Sequence, residues 1–216
     1  MKLLIMGPPG AGKGTQSEKI VSDYNLISIS TGDMFRESYR KQESLGLLAM
    51  EFIRDGLLVS DEITNEFVRR RLFAKNAEKD FLLDGYPRTL NQAQDLDNIL
   101  EIMNSQLDGV LKIILDDEII LARMSGRRVC SVCGVTFHLE HKPSKKDKIC
   151  DQCGGVLYQR EDDKPESLLN RLQIYHEKTR PIVEYYKSRN ILYEVNGNQA
   201  FDAVYQEIKS VIEAIR

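Results

Sequence analysis

The chain contains no tryptophan, only three histidines and only four cysteines among 216 residues, and its net charge is just −3. Each shortage closes a class of function. His138, His141 and His176 are the only imidazoles, with no obvious partner and no Ser-His-Asp set to complete, so hydrolysis through a nucleophilic triad has no support. There is no long basic run. Arg69-Arg70-Arg71 is the densest cationic cluster, but acidic residues surround it, and it reads as a solvated helix face, which disfavours nucleic acid as the main partner. No apolar stretch approaches membrane-spanning length, and the first residues already read as a core strand with no room for a signal peptide. The expectation is a cytoplasmic monomer with no nucleic-acid or membrane partner. The length suffices for a substantial core, built as one domain with insertions or as two small ones.

What the chain does have begins at once. Leu3-Leu4-Ile5-Met6 is a short apolar run, followed by Gly7-Pro8-Pro9-Gly10-Ala11-Gly12-Lys13-Gly14-Thr15 and then a helical stretch from Gln16 to Tyr24. A buried strand, a glycine turn and a helix start make a phosphate trap. Glycines let backbone N–H groups converge on an anion, the helix N-terminus adds partial positive charge, and Lys13 reaches the outer phosphates. The pattern predicts a bound nucleoside triphosphate. Gly14 fills the slot where a hydroxyl usually follows the lysine, and Thr15 comes one later, so direct Mg²⁺ ligation by that hydroxyl is in question.

All four cysteines lie in one window, Cys130-x2-Cys133 and Cys150-x2-Cys153. Two CxxC turns suit a tetrahedral ion, each presenting a pair of thiolates to one edge of it. Disulfides are the competing reading, disfavoured by a reducing cytosol. The spacing predicts a structural Zn²⁺, with Fe as the other metal that a four-thiolate site accepts. With every position filled by sulfur, no site remains for water or substrate, so the metal staples a loop and does no chemistry.

Short apolar runs alternate with longer helical patterns: Leu3–Met6, Leu26–Ile29, Phe81–Leu83, Val110–Leu115 and Ile191–Val195. This predicts βαβ units around a parallel sheet with helices on both faces, and a ligand beyond the carboxyl ends of the strands. Informative polar residues do follow strand ends, as in Ser30-Thr31-Gly32-Asp33 and Asp84-Gly85-Tyr86-Pro87-Arg88. Two segments break the alternation. From Thr31 to Val59 two helical patterns follow one another with no strand between; the second is predicted over Leu45–Asp55, with Ser44 as N-cap and Gly56 just past its end. From Arg127 to Asp163 the sequence is turn-rich, after which Pro165 opens a helix that Pro181 ends or kinks.

Asp84 ends a buried run, as a carboxylate aimed at a nucleotide's metal would, directly or through bound water; capping the next turn is the alternative. Arg36, Arg88, Arg123, Arg127, Arg160 and Arg171 sit beside the strand-end loops and insertions. Any one could be a surface residue, but together they suit phosphoryl transfer, because a guanidinium fork binds phosphate oxygens bidentately. Gln92 reads equally as the capping-box partner of Thr89 and as an amide for an adenine edge. Phe137 either packs the cysteine lobe or offers a face to a base. Asp162-Asp163 is a helix N-terminus or a pairing site for nearby arginines.

On these motifs the chain resembles the adenylate kinases of the long, metal-binding bacterial type, over essentially its whole length. Gly7-x-Pro9-Gly10-x-Gly12-Lys13-Gly14-Thr15 is the family's P-loop variant; Ser30-Thr31-Gly32-Asp33-Met34-Phe35-Arg36, Leu83-Asp84-Gly85-Tyr86-Pro87-Arg88, Gly126-Arg127-Arg128 and Tyr158-x-Arg160-x-Asp162-Asp163 follow in the family's order. The resemblance implies an α/β fold, a P-loop NTPase-type doubly wound five-stranded parallel sheet with two inserted mobile lobes. Residues 1–29, 60–126 and 164–216 would form the core, 30–59 an AMP-binding lobe and 127–163 a zinc lid. It implies the reaction ATP + AMP ⇌ 2 ADP with Mg²⁺. Gly10, Ala11, Gly12, Lys13, Gly14 and Thr15 would hold the ATP phosphates, with Arg123, Arg127, Thr136, Phe137 and the backbone near Gln199 around the rest of ATP. Thr31, Arg36, Leu57, Leu58, Val59, Gly85, Tyr86, Pro87, Arg88, Gln92 and Arg171 would hold AMP, with Arg160 at the phosphates. Lys13, Asp84, Arg88, Arg123, Arg127, Arg160 and Arg171 would carry catalysis, and Cys130, Cys133, Cys150 and Cys153 the metal. Tyr86 stands where phenylalanine is usual, and Ser60 replaces a common proline.

Overall fold

The expected apolar runs form one parallel sheet: β1 (Lys2–Met6), β2 (Ile27–Ser30), β3 (Phe81–Asp84), β4 (Gly109–Ile114) and, near the C-terminus, β8 (Leu192–Asn196), in the order β2-β3-β1-β4-β8. This computed structural model describes residues 1–74 and 80–216; positions 75–79, inside the expected core segment 60–126, lie outside the described residues. Leu4 is in register with Leu83 on one side and Val110 on the other. Successive residues of a strand face opposite sides, and here both sides are buried. Leu3, Ile5, Leu111 and Ile113 join one apolar cluster, completed by α1 (Lys13–Tyr24) and α9 (Phe201–Ile215). Leu4, Met6, Leu83 and Val110 join a second, under α4 (Asp61–Leu72), α5 (Leu90–Ile102) and α8 (Ile182–Lys187). The chain leaves β1 towards β2 and later crosses to β4 on its other side, so the crevice for a ligand opens beyond β1's carboxyl end.

The first insertion is the helix pair α2 (Thr31–Arg40) and α3 (Ser44–Arg54), closed by a small cluster of Phe35, Ala49 and Val59. The two helices meet at Gly46, where an added Cβ would lie 2.3 Å from the Ser38–Tyr39 backbone. Ser44 is not the N-cap. It is already helical, and Glu43 occupies the cap, its carboxylate accepting from Ser38 Oγ at 2.7 Å and its N–H bonded to Ser38 O at 3.1 Å. The other end matches expectation. Gly56 has φ +74°, its N–H reaches Ile53 O, and Leu57 N–H reaches Phe52 O, the bond pair of a Schellman stop that needs a left-handed residue. Ser60 caps α4 through the Ile63 N–H at 3.5 Å.

The second insertion follows α6 (Asp117–Gly126) directly. β5 (Arg127–Cys130), β6 (Thr136–His138) and β7 (Leu157–Tyr158) make a separate antiparallel sheet, whose core is only Cys130, Phe137, Cys150 and Leu157. A 3₁₀ turn, Glu161–Asp163, leads into α7 (Pro165–Ile174), with Pro165 at its first position. Pro181 breaks the regular ladder as expected. It has no N–H to donate, and the preceding turn widens into a π segment, Tyr175–Thr179, in which Arg180 N–H reaches Tyr175 O at 2.8 Å.

Candidate active site

β1 delivers the glycine loop to the crevice. Gly12 caps α1 with φ +87°, a conformation open to glycine at little cost, and the loop tightens through Ala11 N–H to Pro8 O. Lys13 curls back over this loop, donating from Nζ to Gly7 O at 2.7 Å and Pro8 O at 2.8 Å. Burial drops its pKa to about 8; Asp84 opposes that shift, while Arg88, Arg171 and Arg127 add to it. Asp84, at the end of β3, has its carboxyl raised by burial, with Lys13 and Arg88 pulling the other way. Lysine and carboxylate thus face one another at the bottom of the cleft.

The arginines converge. Arg88 is fixed on both sides of its backbone: its N–H reaches Gln92 Oε1 at 2.7 Å, and its carbonyl accepts from Thr179 Oγ1 at 3.0 Å. Its side-chain Nε donates to Gly85 O at 2.8 Å, and Thr31 Oγ1 donates to the same carbonyl at 2.8 Å. Burial, then Arg171, lowers the Arg88 guanidinium to about 10. Arg171 donates to the Asp162 carboxylate at 2.8 Å and to Asp163 at 3.3 Å, while Arg127 forks onto Asp163, with Nε to Oδ2 at 2.7 Å. Both readings of Asp162-Asp163 are realised: the pair lies in the turn that leads into α7, and its carboxylates take the arginines. Arg160 is lowered to about 10 by burial, Arg36 and Arg127, and its buried Nε has no hydrogen-bond partner among the described residues. Arg36 pairs with Asp33 at 2.5 Å, and Arg123 donates to Gly197 O at 3.1 Å.

These groups line one cleft of about 1380 Å³, larger than the ~300–1,000 Å³ of a single-ligand site. Every residue expected to touch a nucleotide lines it except Tyr86 and Pro87. Tyr86 is buried in the core behind the wall, its hydroxyl 2.9 Å from Asn65 Oδ1 and 3.0 Å from Gln92 O. Pro87 is buried and, with Tyr86, lines a small side pocket of about 60 Å³ that shares Lys13, Gly85, Arg88 and Arg171 with the cleft. Gln92 follows neither of its two readings in full, because both ends of its amide are taken by protein groups. Thr89 Oγ1 caps its N–H at 3.1 Å, but the amide oxygen reaches back to Arg88 N–H instead of Thr89, and Nε2 donates to Asp61 at 2.7 Å. Phe137 both packs the lobe and borders the cleft. Sequence reasoning missed Thr179, Asp61 and the partners of two histidines: His138 bonds Arg123 O at 3.1 Å and His176 bonds Asp117 at 2.9 Å. No motif signals these long-range pairings.

The four cysteine sulfurs lie within 4.8 Å of one another, with Cys130–Cys153 at 3.4 Å and Cys133–Cys150 at 3.6 Å. Tetrahedral Zn–S bonds of ~2.3 Å need sulfurs ~3.8 Å apart, so the thiols fit a metal with little movement. Each CxxC turn closes on a left-handed glycine: Gly134 N–H reaches Cys130 O and Gly154 N–H reaches Cys150 O, at φ +77° and +75°.

Sheet, glycine loop and cationic cleft together define a P-loop phosphotransferase. The Adenylate kinase family model matches residues 5–191. The adenylate kinase of Caldanaerobacter subterraneus subsp. tengcongensis is 46% identical over 98% of this chain and 96% of its own length. That of Latilactobacillus sakei is 48% identical and that of Archaeoglobus fulgidus 43%, each over the full length of both chains. The chain belongs to the adenylate kinase family.

Proposed function

We propose that the cleft holds ATP and AMP end to end and transfers the γ-phosphoryl group directly, giving ATP + AMP ⇌ 2 ADP. The observation that carries this reading is the convergence of Lys13 and six arginines from five separate regions on one cleft large enough for two nucleotides. Gly10 to Thr15 hold the ATP phosphates, and Arg123, Thr136, Phe137 and the backbone at Gln199 flank the rest of ATP. Thr31, Arg36, Leu57 to Val59, Gly85 and Gln92 hold AMP. Tyr86 and Pro87 shape that pocket from behind. Segments 30–59 and 127–163 act as lobes over a core of 1–29, 60–126 and 164–216, a division supported by their separate small apolar clusters.

The attacking AMP oxygen is already anionic, so the reaction needs no protein base. Lys13, Arg88, Arg127, Arg160 and Arg171 hold the phosphates in line and offset charge on the transferring group. Mg²⁺ entering with ATP would supply charge neutralisation at the phosphates, and Asp84, which lines the cleft beside Lys13, would help to hold it. Cys130, Cys133, Cys150 and Cys153 hold a structural Zn²⁺ that keeps the lid folded. Lid and AMP lobe exclude water, the competing acceptor. We place the enzyme in the cytoplasm as a monomer; among the described residues no helix is long and apolar enough to cross a membrane. A coupled assay of ADP formation across nucleoside triphosphate and monophosphate pairs tests the assignment. ATP with AMP should be the preferred pair, and a compound joining two adenosines through a five-phosphate bridge should inhibit tightly. Preference for another monophosphate would overturn the acceptor assignment.

A further inference from the structure

The ring of His138 has a bonding pattern that fixes its tautomer. Nδ1 accepts two backbone N–H groups, those of Glu140 and His141, each at 3.1 Å. That nitrogen therefore carries no proton, and Nε2 carries the hydrogen donated to Arg123 O at 3.1 Å. The acceptor is one of the last carbonyls of α6, a group with no intrahelical partner, so the imidazole caps the helix that leads into the lid. The fit is close: a Cβ on Gly126 would come within 2.5 Å of the ring. Beside it Leu139 N–H reaches Gly126 O at 2.9 Å, and His138 and Lys142 exchange both backbone bonds. The His138 side chain thus adds, to the backbone bond at Gly126, a second tie between the 138–142 turn and the helix end that carries Arg123 and Arg127.

We infer that His138 is a positioning residue for the donor nucleotide, seating the lid turn on the C-terminal end of α6 so that Arg123 and Arg127 hold their places at the ATP side of the cleft. The inference rests on the functional reading above. The groups facing the ring are His141, stacked at 4.4 Å, Glu140 and the Arg123 guanidinium. A second proton would have to enter at Nδ1, against two N–H groups that already point there. Consistently, burial and His141 hold the imidazole below its ordinary value of 6.5. Protonation of the ring, which needs acidification past this lowered value, breaks the acceptor side of the seat.

Two replacements separate the two halves of this contact. In His138→Gln the side-chain amide N–H stands near the place of Nε2–H and keeps the bond to Arg123 O. In His138→Asn the amide oxygen stands near the place of Nδ1 and keeps the turn but not the bridge to α6. Steady-state kinetics of the full-length, metal-replete chain should show KM for ATP raised about five- to tenfold in His138→Asn, with KM for AMP within twofold, as loss of one hydrogen bond predicts. His138→Gln should recover most of that loss. Lowering pH from 7 to 5.5 should raise KM for ATP more in the parent protein than in His138→Gln, and imidazole ¹⁵N shifts at pH 7 should report the Nε2–H tautomer. Equal rises in both KM values, a drop in kcat alone, or parallel pH profiles in parent and Gln variant would overturn the inference. Absence of ADP formation in the parent would instead overturn the functional reading.

Discussion

Arg88→Ala is the sharpest test of a mechanism made of position and charge. Arg88 stands where burial and Arg171 already bring its guanidinium down to about 10, so this charge is held in a desolvated place against its neighbours' repulsion. Such a group becomes useful only when negative charge arrives between it and Lys13. Removing one preorganised donor to a transition-state oxyanion costs about 10²–10³ in kcat, and removing an arginine that completes phosphoryl-transfer stabilisation costs about 10³–10⁵. We expect Arg88→Ala to lower kcat by at least ~10²-fold, while ATP affinity, set mainly by the glycine loop, changes less than about threefold. Arg88→Lys sharpens the test. A lysine there meets the same burial that brings Lys13 to about 8, so its charge is lost more readily than arginine's. Activity of Arg88→Lys relative to the parent should rise as pH falls from 9 to 7. Single-turnover phosphoryl transfer with independent ATP titration reads both quantities. Equal losses in turnover and ATP binding, or full activity of Arg88→Lys at every pH, would refute the reasoning.

Lys13, at about 8 against an ordinary 10.5, predicts a pH-dependent affinity in the free enzyme. Above pH 8 ATP binding should weaken by up to about tenfold per pH unit, and Lys13→Met should show no such slope; a flat parent profile would contradict this. The sign for stability is opposite: the buried charge costs stability below about pH 8, and that cost is relieved between about 8 and 10.5. Asp163→Asn leaves the Arg127 fork facing a neutral, fully covered partner and should destabilise the fold by about 3–5 kcal/mol by urea unfolding; a change under about 1 kcal/mol would show the pair to be incidental. Chelation of the lid metal should lower the melting temperature and open amides of 127–163 to exchange, because the lobe's own apolar core is only four side chains; an unchanged melting curve after verified metal removal would exclude the staple.

The sheet was legible because each core strand is a short apolar run next to a turn, and a parallel sheet gathers the loops leaving those strands at one edge. That is why the glycine loop, Thr31, Asp84 and Arg88 could be grouped from sequence alone. Failures have a different physical origin. Ser44 looked like a cap because hydroxyls usually are, but Glu43 makes the bond to Ser38 that fixes the chain there. Tyr86 sits in the motif yet lies in the core, its hydroxyl held by Asn65 and the Gln92 carbonyl, while Asp84, Gly85 and Arg88 line the cleft; the backbone leaves extended geometry at Gly85, φ +78°, so strand alternation does not carry through the motif. The bridges His138–Arg123 and Thr179–Arg88 join backbone carbonyls to side chains far apart in sequence, and carbonyls leave no trace in composition.

Asp163 shows how the two parts of the site are joined. Its carboxylate, fully covered, takes Arg127 from the base of the lid on one side and Arg171 from the core helix α7 on the other. A buried carboxylate between two guanidiniums is held by both, so displacement of either arginine strands a charge in a poorly solvated place. The first residue of β5 and an arginine of α7 therefore share one electrostatic joint, and Asp162 tightens it with a second contact to Arg171 at 2.8 Å. The carboxylates restrain Arg127 and Arg171 at the wall of the cleft, so phosphate oxygens entering it meet guanidiniums whose positions are already limited. The joint lies at Arg127, the first residue of the cysteine-bearing sheet, whose own buried apolar cluster is small, Cys130, Phe137, Cys150 and Leu157, so the seating of that sheet against α7 rests on this ion pair as well as on its packing.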